Sequence, residues 1–243
     1  MSNKIDPGVV YTPASVASVT SQQRTVLSES VLDSLGVRWI RLTWCDWTNT
    51  IRYQVLSRSY LRKLLNLERP GFAIVRVAFG IVLLHIVEGF SLAGEYLMVL
   101  DPNSFRLCPY APGHATIFAY FQEVVPHPEY GLDVLHDPRT LVARVERLAK
   151  EKAGVSYLVG FESEFCLLKS TTPPLVFANN IMDYAVANKL RAGSIESTVV
   201  QEIAEALEDS GIEIQKYHAE AAPGQVCFLV LLMSDCILIP TIV

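Results

Sequence analysis

Apolar and polar residues alternate between residues 159 and 168, and this pattern predicts a β-strand. Because side chains alternate across a strand, Glu162 and Glu164 project from one face, and Phe161, Ser163 and Phe165 from the other. Two carboxylates on an otherwise apolar strand repel each other and resist burial. Two interpretations remain open: a solvent-exposed acidic face, or a divalent cation that binds both carboxylates.

Helical periodicity with end signals predicts two helices in the second half of the chain. The first begins at Asp137-Pro138, with the aspartate as N-cap, and ends at Gly154. The second spans residues 194–210 and ends at Gly211. Their predicted inward stripes are Leu141, Val142, Val145, Leu148 and Ala149 in the first, and Val199, Val200, Ile203, Ala206 and Leu207 in the second. A weaker helical stretch covers residues 181–190, and a strand is predicted at 212–220.

The first half of the chain reads as short strands with one or two helices, which indicates an α+β arrangement. Residues 37–44 and 51–56 form a predicted hairpin whose turn contains Asp46 and Asn49, the latter suited to a left-handed conformation. Asp46 is either decoration of the hairpin tip or part of a site. The Pro- and Gly-dense segment 125–131 predicts a linker. The predicted divisions are a loose lead-in at 1–30, one domain at 31–125 and another at 126–243.

Composition excludes several classes of partner and location. Apolar residues make up 51% of the chain and the net charge is −5, with no basic run, so nucleic acid is not an expected partner. The five cysteines are scattered without a Cys-x-x-Cys pair, which favours a reducing, cytoplasmic location. The apolar runs 73–87 and 226–243 are interrupted by polar residues or proline, so no membrane span and no membrane partner are expected.

Three carboxylates are expected to converge in the second half. The order strand, helix, strand places Glu162, Glu164 and Glu220 near the ends of neighbouring strands, where ligands tend to bind. Such a group suits Mg²⁺ or Mn²⁺, ions that commonly neutralise phosphate charge. The spacing therefore predicts metal-assisted phosphoryl chemistry, and His218, on the same strand face as Glu220, has no assigned role.

Three motifs in order resemble the glutamine synthetase family, most closely the glutamine synthetase-like proteins of fungi and bacteria. They are Gly160-Phe161-Glu162-Ser163-Glu164-Phe165, then Tyr217-His218-Ala219-Glu220-Ala221-Ala222-Pro223-Gly224-Gln225, and the upstream hairpin Trp44-Cys45-Asp46-Trp47-Thr48-Asn49-Thr50-Ile51-Arg52.

The resemblance implies an N-terminal β-grasp domain, a catalytic α/β domain and assembly into stacked homo-oligomeric rings. It implies use of ATP to phosphorylate the γ-carboxylate of glutamate, followed by displacement of phosphate by ammonia or an amine. By motif, Glu164 and Glu220 would hold the metal at the acyl phosphate and Glu162 the metal on the nucleotide side. Asp46 would bind and deprotonate ammonium in the neighbouring subunit's site.

The chain departs from this family's pattern in two ways. Cys227 stands where the family motif Gly-Gln-x-Glu has a metal-binding glutamate, and residues 226–243 read as an out-of-family apolar tail. The family's later glycine-rich strand, its substrate-binding arginines and its last metal-binding glutamate are not found in the sequence. The alternative to a ligase is therefore a truncated, catalytically inactive homologue with at most an assembly or binding role. Because these ligands and arginines are missing, we expect little or no turnover by the chain as written.

Overall fold

The computed structural model describes residues 27–157 and 159–230. Predictions for residues 1–26 and 231–243, which include most of the lead-in and of the apolar tail, lie outside the described residues. The helices are α1 (Glu29–Ser34), α2 (Arg58–Leu65), α3 (Pro138–Ala153) and α4 (Ile195–Asp209), with 3-10 turns at Arg76–Phe79 and Ala187–Leu190. The strands are β1 (Trp39–Cys45), β2 (Ile51–Ser57), β3 (Gly71–Val75), β4 (Ile81–Val82), β5 (His85–Ile86), β6 (Glu95–Leu107), β7 (His114–His127), β8 (Gly131–Asp133), β9 (Phe161–Cys166), β10 (Leu168–Ser170), β11 (Val176–Phe177), β12 (Ile214–Ala219) and β13 (Gln225–Val230).

The first half folds around a six-stranded mixed sheet. Its order is β2-β1-β7-β6-β3, with β8 paired to β7, and β1 runs parallel to β7 while the other pairs are antiparallel. The predicted hairpin is confirmed, with Cys45 opposite Ile51 and Asn49 at φ 60° in its turn. Alternate residues of β1, Ile40, Leu42 and Trp44, are buried in the core of this half. The sheet thus fixes the turn that carries Asp46.

The predicted linker at 125–131 is a hairpin instead. Strand β7 continues to His127 and β8 returns along it, with His127 opposite Gly131. The proline at 126 is tolerated because this end of β7 is exposed and pairs only sparsely. The first sheet therefore continues to Asp133, and the boundary between residues 125 and 126 stays a prediction.

The second half contains a three-stranded antiparallel sheet of order β12-β13-β9. Its apolar face packs on α4, with Val200, Val226 and Phe228 buried together. The expectation that β9 and β12 are neighbours is wrong, because the α4 crossover leaves one strand position open and β13 fills it by a tight turn from β12.

Both long helices begin and end as predicted, but only the stripe of α4 is turned inward, with Val200 buried and the other four residues half-buried. Asp137 caps α3 and Gly154 ends it at φ 64°, while Ser194 caps α4. The stripe of α3 is exposed within the described residues, with Leu141, Val142 and Val145 between 43 and 50% accessible. The predicted helix at 181–190 is irregular chain ending in a 3-10 turn. Across the described ranges, no helix combines the length and apolarity needed to cross a bilayer.

Candidate metal-binding site

The acidic residues lie on the polar face of the sheet β12-β13-β9. In the strand register, Cys227 on β13 is opposite Glu164 on β9 and opposite His218 on β12. Glu162 and Glu164 are exposed while Phe161, Ser163 and Phe165 are half-buried, so the predicted alternation of β9 is confirmed. Side chains of directly paired residues in a sheet share a face. The sheet therefore places a row of potential metal ligands across three strands. We call this surface, formed by Glu162, Glu164, His218, Glu220 and Cys227, the acidic face.

Two groups of potential ligand atoms occupy the acidic face, and they share Cys227. One comprises His218, Glu220 and Cys227, and the other comprises Glu162, Glu164 and Cys227. Within each group, one ligand atom per residue lies within 4.8 Å of the others. The predicted carboxylates thus lie on either side of a sulfur atom, with Glu220 on one side and the β9 pair on the other.

Cys227 is the buried centre of the acidic face. Its exposure is 0%, and its thiol has no hydrogen-bond partner among the described residues. Burial raises the pKa of the Cys227 thiol, and the nearby glutamate carboxylates raise it further while Lys216 lowers it. In the absence of a cation the sulfur is therefore a protonated thiol at neutral pH.

His218 and Glu220 form a pair at the β12 end of the acidic face. His218 Nε2 lies 3.1 Å from Glu220 Oε1, and both side chains are 19% exposed. The other ring nitrogen, Nδ1, is buried and has no hydrogen-bond partner in the described part of the chain. The Tyr184 ring packs edge-on against the imidazole at 5.2 Å. The pair therefore holds the imidazole in a fixed orientation with one nitrogen unused.

Two further residues hold the segments that carry the glutamates. Gln225 is the first residue of β13, and Lys189 lies in the 3-10 turn Ala187–Leu190. Gln225 Nε2 donates to Glu164 Oε2 at 2.7 Å, and the Gln225 Oε1 accepts from Ala222 N. Lys189, only 2% exposed, donates from Nζ to the carbonyls of Glu220, Ala221 and Ala222. Sequence reasoning missed Lys189, because nothing in the local pattern marks a lysine whose partners are backbone oxygens some thirty residues away.

The structure does not bring Asp46 into the acidic face, since it belongs to the hairpin of the first sheet. Its side chain is fully buried, and Oδ1 accepts from Thr48 N at 2.9 Å, Thr48 Oγ1 at 2.7 Å and Thr50 N at 3.0 Å. Oδ2 accepts from Arg52 Nε at 2.5 Å. All of these donors come from its own hairpin, so Asp46 holds the turn in shape.

Only one edge of the acidic face offers oxygen ligands without nitrogen or further donor types from its own strand. Carboxylate oxygens of Glu162 and Glu164 suit Mg²⁺ or Mn²⁺. The Cys227 sulfur does not, because thiolates select softer ions than carboxylates do. The acidic face therefore has an oxygen edge on β9 and a mixed sulfur, nitrogen and oxygen edge on β12.

Sequence comparison identifies the relatives of this chain. Residues 135–231 match the glutamine synthetase catalytic domain. Similar proteins include protein fluG of Emericella nidulans, 26% identical over 228 residues, and type-1 glutamine synthetase 1 of Dictyostelium discoideum, 22% identical over 200 residues. Residues 135–231 of the chain belong to the glutamine synthetase family. The match to the glutamine synthetase catalytic domain runs to residue 231, so β13 and Cys227 lie inside the matched region.

Solved structures share the fold of this chain. A GmaS/ADP complex superimposes over 85% of the chain with a TM-score of 0.59 at 17% identity. Plasmodium falciparum glutamine synthetase gives 0.55 at 16% identity, also over 85%. The chain spans 25% of the length of fluG, 40% of the Dictyostelium enzyme and 44% of GmaS.

Proposed function

We propose that this chain supplies the metal-binding face of a glutamine synthetase-type ligase, which joins ammonia or an amine to the γ-carboxylate of glutamate with ATP as co-substrate. The observation that carries the proposal is the placement of Glu162, Glu164 and Glu220 on one face of one sheet. Family membership supports the reaction class. In such a reaction glutamate is first phosphorylated, and the amine then displaces phosphate from the acyl phosphate.

The glutamates have distinct proposed roles. Glu162 would hold one ion, Mg²⁺ or Mn²⁺, on the nucleotide side, and Glu164 with Glu220 would hold another at the acyl phosphate. The ions would supply positive charge that neutralises phosphate oxygens during transfer. Gln225, which donates to Glu164 at 2.7 Å, would keep that carboxylate in place.

The first sheet is proposed to be the β-grasp domain of the family, with assembly into homo-oligomeric rings. The mixed sheet with parallel β1 and β7 is compatible with this assignment. In such a ring Asp46 would act in the site of a neighbouring subunit, binding ammonium and assisting loss of its proton. Its carboxylate would have to exchange the Arg52 contact for the ammonium ion, since Arg52 Nε lies 2.5 Å from Oδ2.

The test is formation of γ-glutamyl hydroxamate by the purified chain with ATP, Mg²⁺, glutamate and hydroxylamine. The ligase proposal predicts hydroxamate formation by the unmodified chain and its loss in Glu164→Gln. This change removes the negative charge of a metal ligand and keeps the size of the side chain. Glu213→Gln, an exposed residue outside the acidic face, is the matched control and keeps the activity. Product formation that is unchanged in Glu164→Gln contradicts the proposed role of the acidic face.

A second candidate function is that of an inactive homologue that binds metal or partner subunits without turnover. The observation that favours it is the buried thiol of Cys227, which stands at the centre of the acidic face where the family motif has a glutamate. Metal binding without hydroxamate formation by the unmodified chain supports this candidate over the ligase.

A further inference from the structure

The β12 edge of the acidic face has a donor set unlike that of a magnesium site. It combines the imidazole of His218, a carboxylate of Glu220 and the sulfur of Cys227, with one ligand atom of each within 4.8 Å of the others. Hard cations such as Mg²⁺ bind through oxygen. A cysteine, a histidine and a carboxylate together are typical ligands of Zn²⁺.

We infer that His218, Glu220 and Cys227 bind a borderline-soft divalent cation of the Zn²⁺ class, so that this chain differs in metal selectivity from an all-glutamate site. The inference rests on the proposed function in that both place a cation on the acidic face. It adds His218 and Cys227 as ligands.

Two atoms of this group lack a hydrogen-bond partner among the residues that the structure describes. The Cys227 sulfur is fully buried with no hydrogen bond to any described residue, and His218 Nδ1 is buried and unpaired. Buried polar groups are generally paired, and an unpaired one calls for an explanation such as an ion. Binding of a cation to the sulfur would supply its missing partner, and a ring nitrogen of His218 would complete the group.

The spacing permits coordination with small side-chain shifts. A cation at the centre of three atoms 4.8 Å apart lies about 2.8 Å from each, and contraction by about 0.5–0.8 Å gives ordinary zinc–ligand distances. The backbone register already fixes two of the ligands, because Cys227 and His218 are direct partners on neighbouring strands. Three protein ligands leave a fourth tetrahedral position for water or substrate.

Binding exchanges one bond for another at the sulfur. The S–H bond of Cys227 breaks, a sulfur–metal bond forms, and the proton passes to solvent. The β9 glutamates, with Gln225 beside them, remain available for a second, harder ion. The β9 group and the β12 group, however, share the Cys227 sulfur. Occupation of the β12 edge would therefore remove Cys227 from the β9 group and leave that group with oxygen donors only.

The test is titration of the full chain with Co²⁺, a spectroscopic probe for zinc sites. We expect an intense near-ultraviolet thiolate-to-cobalt band that saturates at one equivalent and is displaced by Zn²⁺ but not by an excess of Mg²⁺. Cys227→Ser should abolish the band and weaken Zn²⁺ binding, measured against a chromophoric chelator, by at least about 100-fold, because loss of an outer-shell partner alone costs about 10- to 100-fold. Cys166→Ser, which changes an exposed cysteine on β9, is the matched control and keeps the band.

His218→Gln keeps the inference falsifiable if Cys227→Ser fails to fold. It should retain a folded circular dichroism spectrum and weaken Zn²⁺ binding by at least about tenfold. A thiolate band that persists in Cys227→Ser, or Zn²⁺ binding unchanged in His218→Gln, overturns the inference. Because the cobalt spectrum needs no turnover, absence of hydroxamate formation contradicts the proposed ligase and leaves this inference standing.

Discussion

Replacement of Lys189 by methionine should destabilise the second half of the chain. Lys189 Nζ donates to the carbonyls of Asp183 at 3.2 Å, Ala221 at 3.3 Å and Ala222 at 3.0 Å, and also to that of Glu220. The residue is 2% exposed, so methionine fills a similar volume but leaves these oxygens without a donor. Three of the four carbonyls, those of Glu220, Ala221 and Ala222, belong to the turn that carries Glu220.

The expected loss of unfolding free energy is about 2–3 kcal/mol. A hydrogen bond from a charged group contributes about 1.5–3 kcal/mol, and a buried carbonyl left unpaired costs about 1–3 kcal/mol. Three donor hydrogens are shared among four carbonyls. Two effects reduce the total: the half-exposed turn lets water replace some bonds, and removal of a buried ammonium recovers several kcal/mol of its desolvation cost.

Urea unfolding followed by circular dichroism measures this change. With a slope of about 2 kcal/mol/M, the midpoint of Lys189→Met should fall by about 1–1.5 M. Lys169→Met, an exposed lysine on β10, is the control and should shift the midpoint by under about 0.3 M. Equal midpoints for the two variants would refute the structural role of Lys189.

Two other predictions concern buried carboxylates. Asp46→Ala removes the acceptor of four hydrogen bonds, including that from Arg52, and should lower the unfolding free energy by about 2–4 kcal/mol. Asp46→Asn keeps the Oδ1 acceptor and should lower it by about half as much. Equal stability of Asp46→Ala and the unmodified chain in urea would contradict this. Burial raises the pKa of Asp137 although Phe121 N donates to its carboxylate at 3.0 Å. The unfolded chain therefore loses this proton at lower pH than the folded chain does, so the stability that Asp137 contributes is present below about pH 3.9 and is lost as pH rises through the folded pKa. Unfolding experiments at several pH values should show Asp137→Asn gaining stability relative to the unmodified chain as pH rises, and a constant difference between the two would contradict this sign.

Local patterns in the sequence predict much of the fold. The caps Asp137 and Ser194 and the terminator Gly154 predict the ends of α3 and α4, because these signals act within one turn of helix. The alternation around Glu162 and Glu164 predicts a strand with one acidic face for the same reason. Family membership, inferred from three motifs, is confirmed by the match over residues 135–231.

Features that depend on distant partners could not be predicted. The Pro126 segment reads as a linker until β8 is seen to pair with β7. The insertion of β13 between β9 and β12 follows from the crossover by α4, which no local pattern encodes. It is this insertion that places Cys227 between the glutamates, so that a departure from the family motif became the centre of the candidate site.

Binding of Mn²⁺, followed by the electron paramagnetic resonance signal of the free ion, tests the central claim that carboxylates of one sheet face bind a divalent cation. The unmodified chain should remove Mn²⁺ from solution, and Glu164→Gln should weaken this binding by at least about tenfold while Glu213→Gln leaves it unchanged. Equal Mn²⁺ binding by a folded Glu164→Gln variant and the unmodified chain would contradict the account.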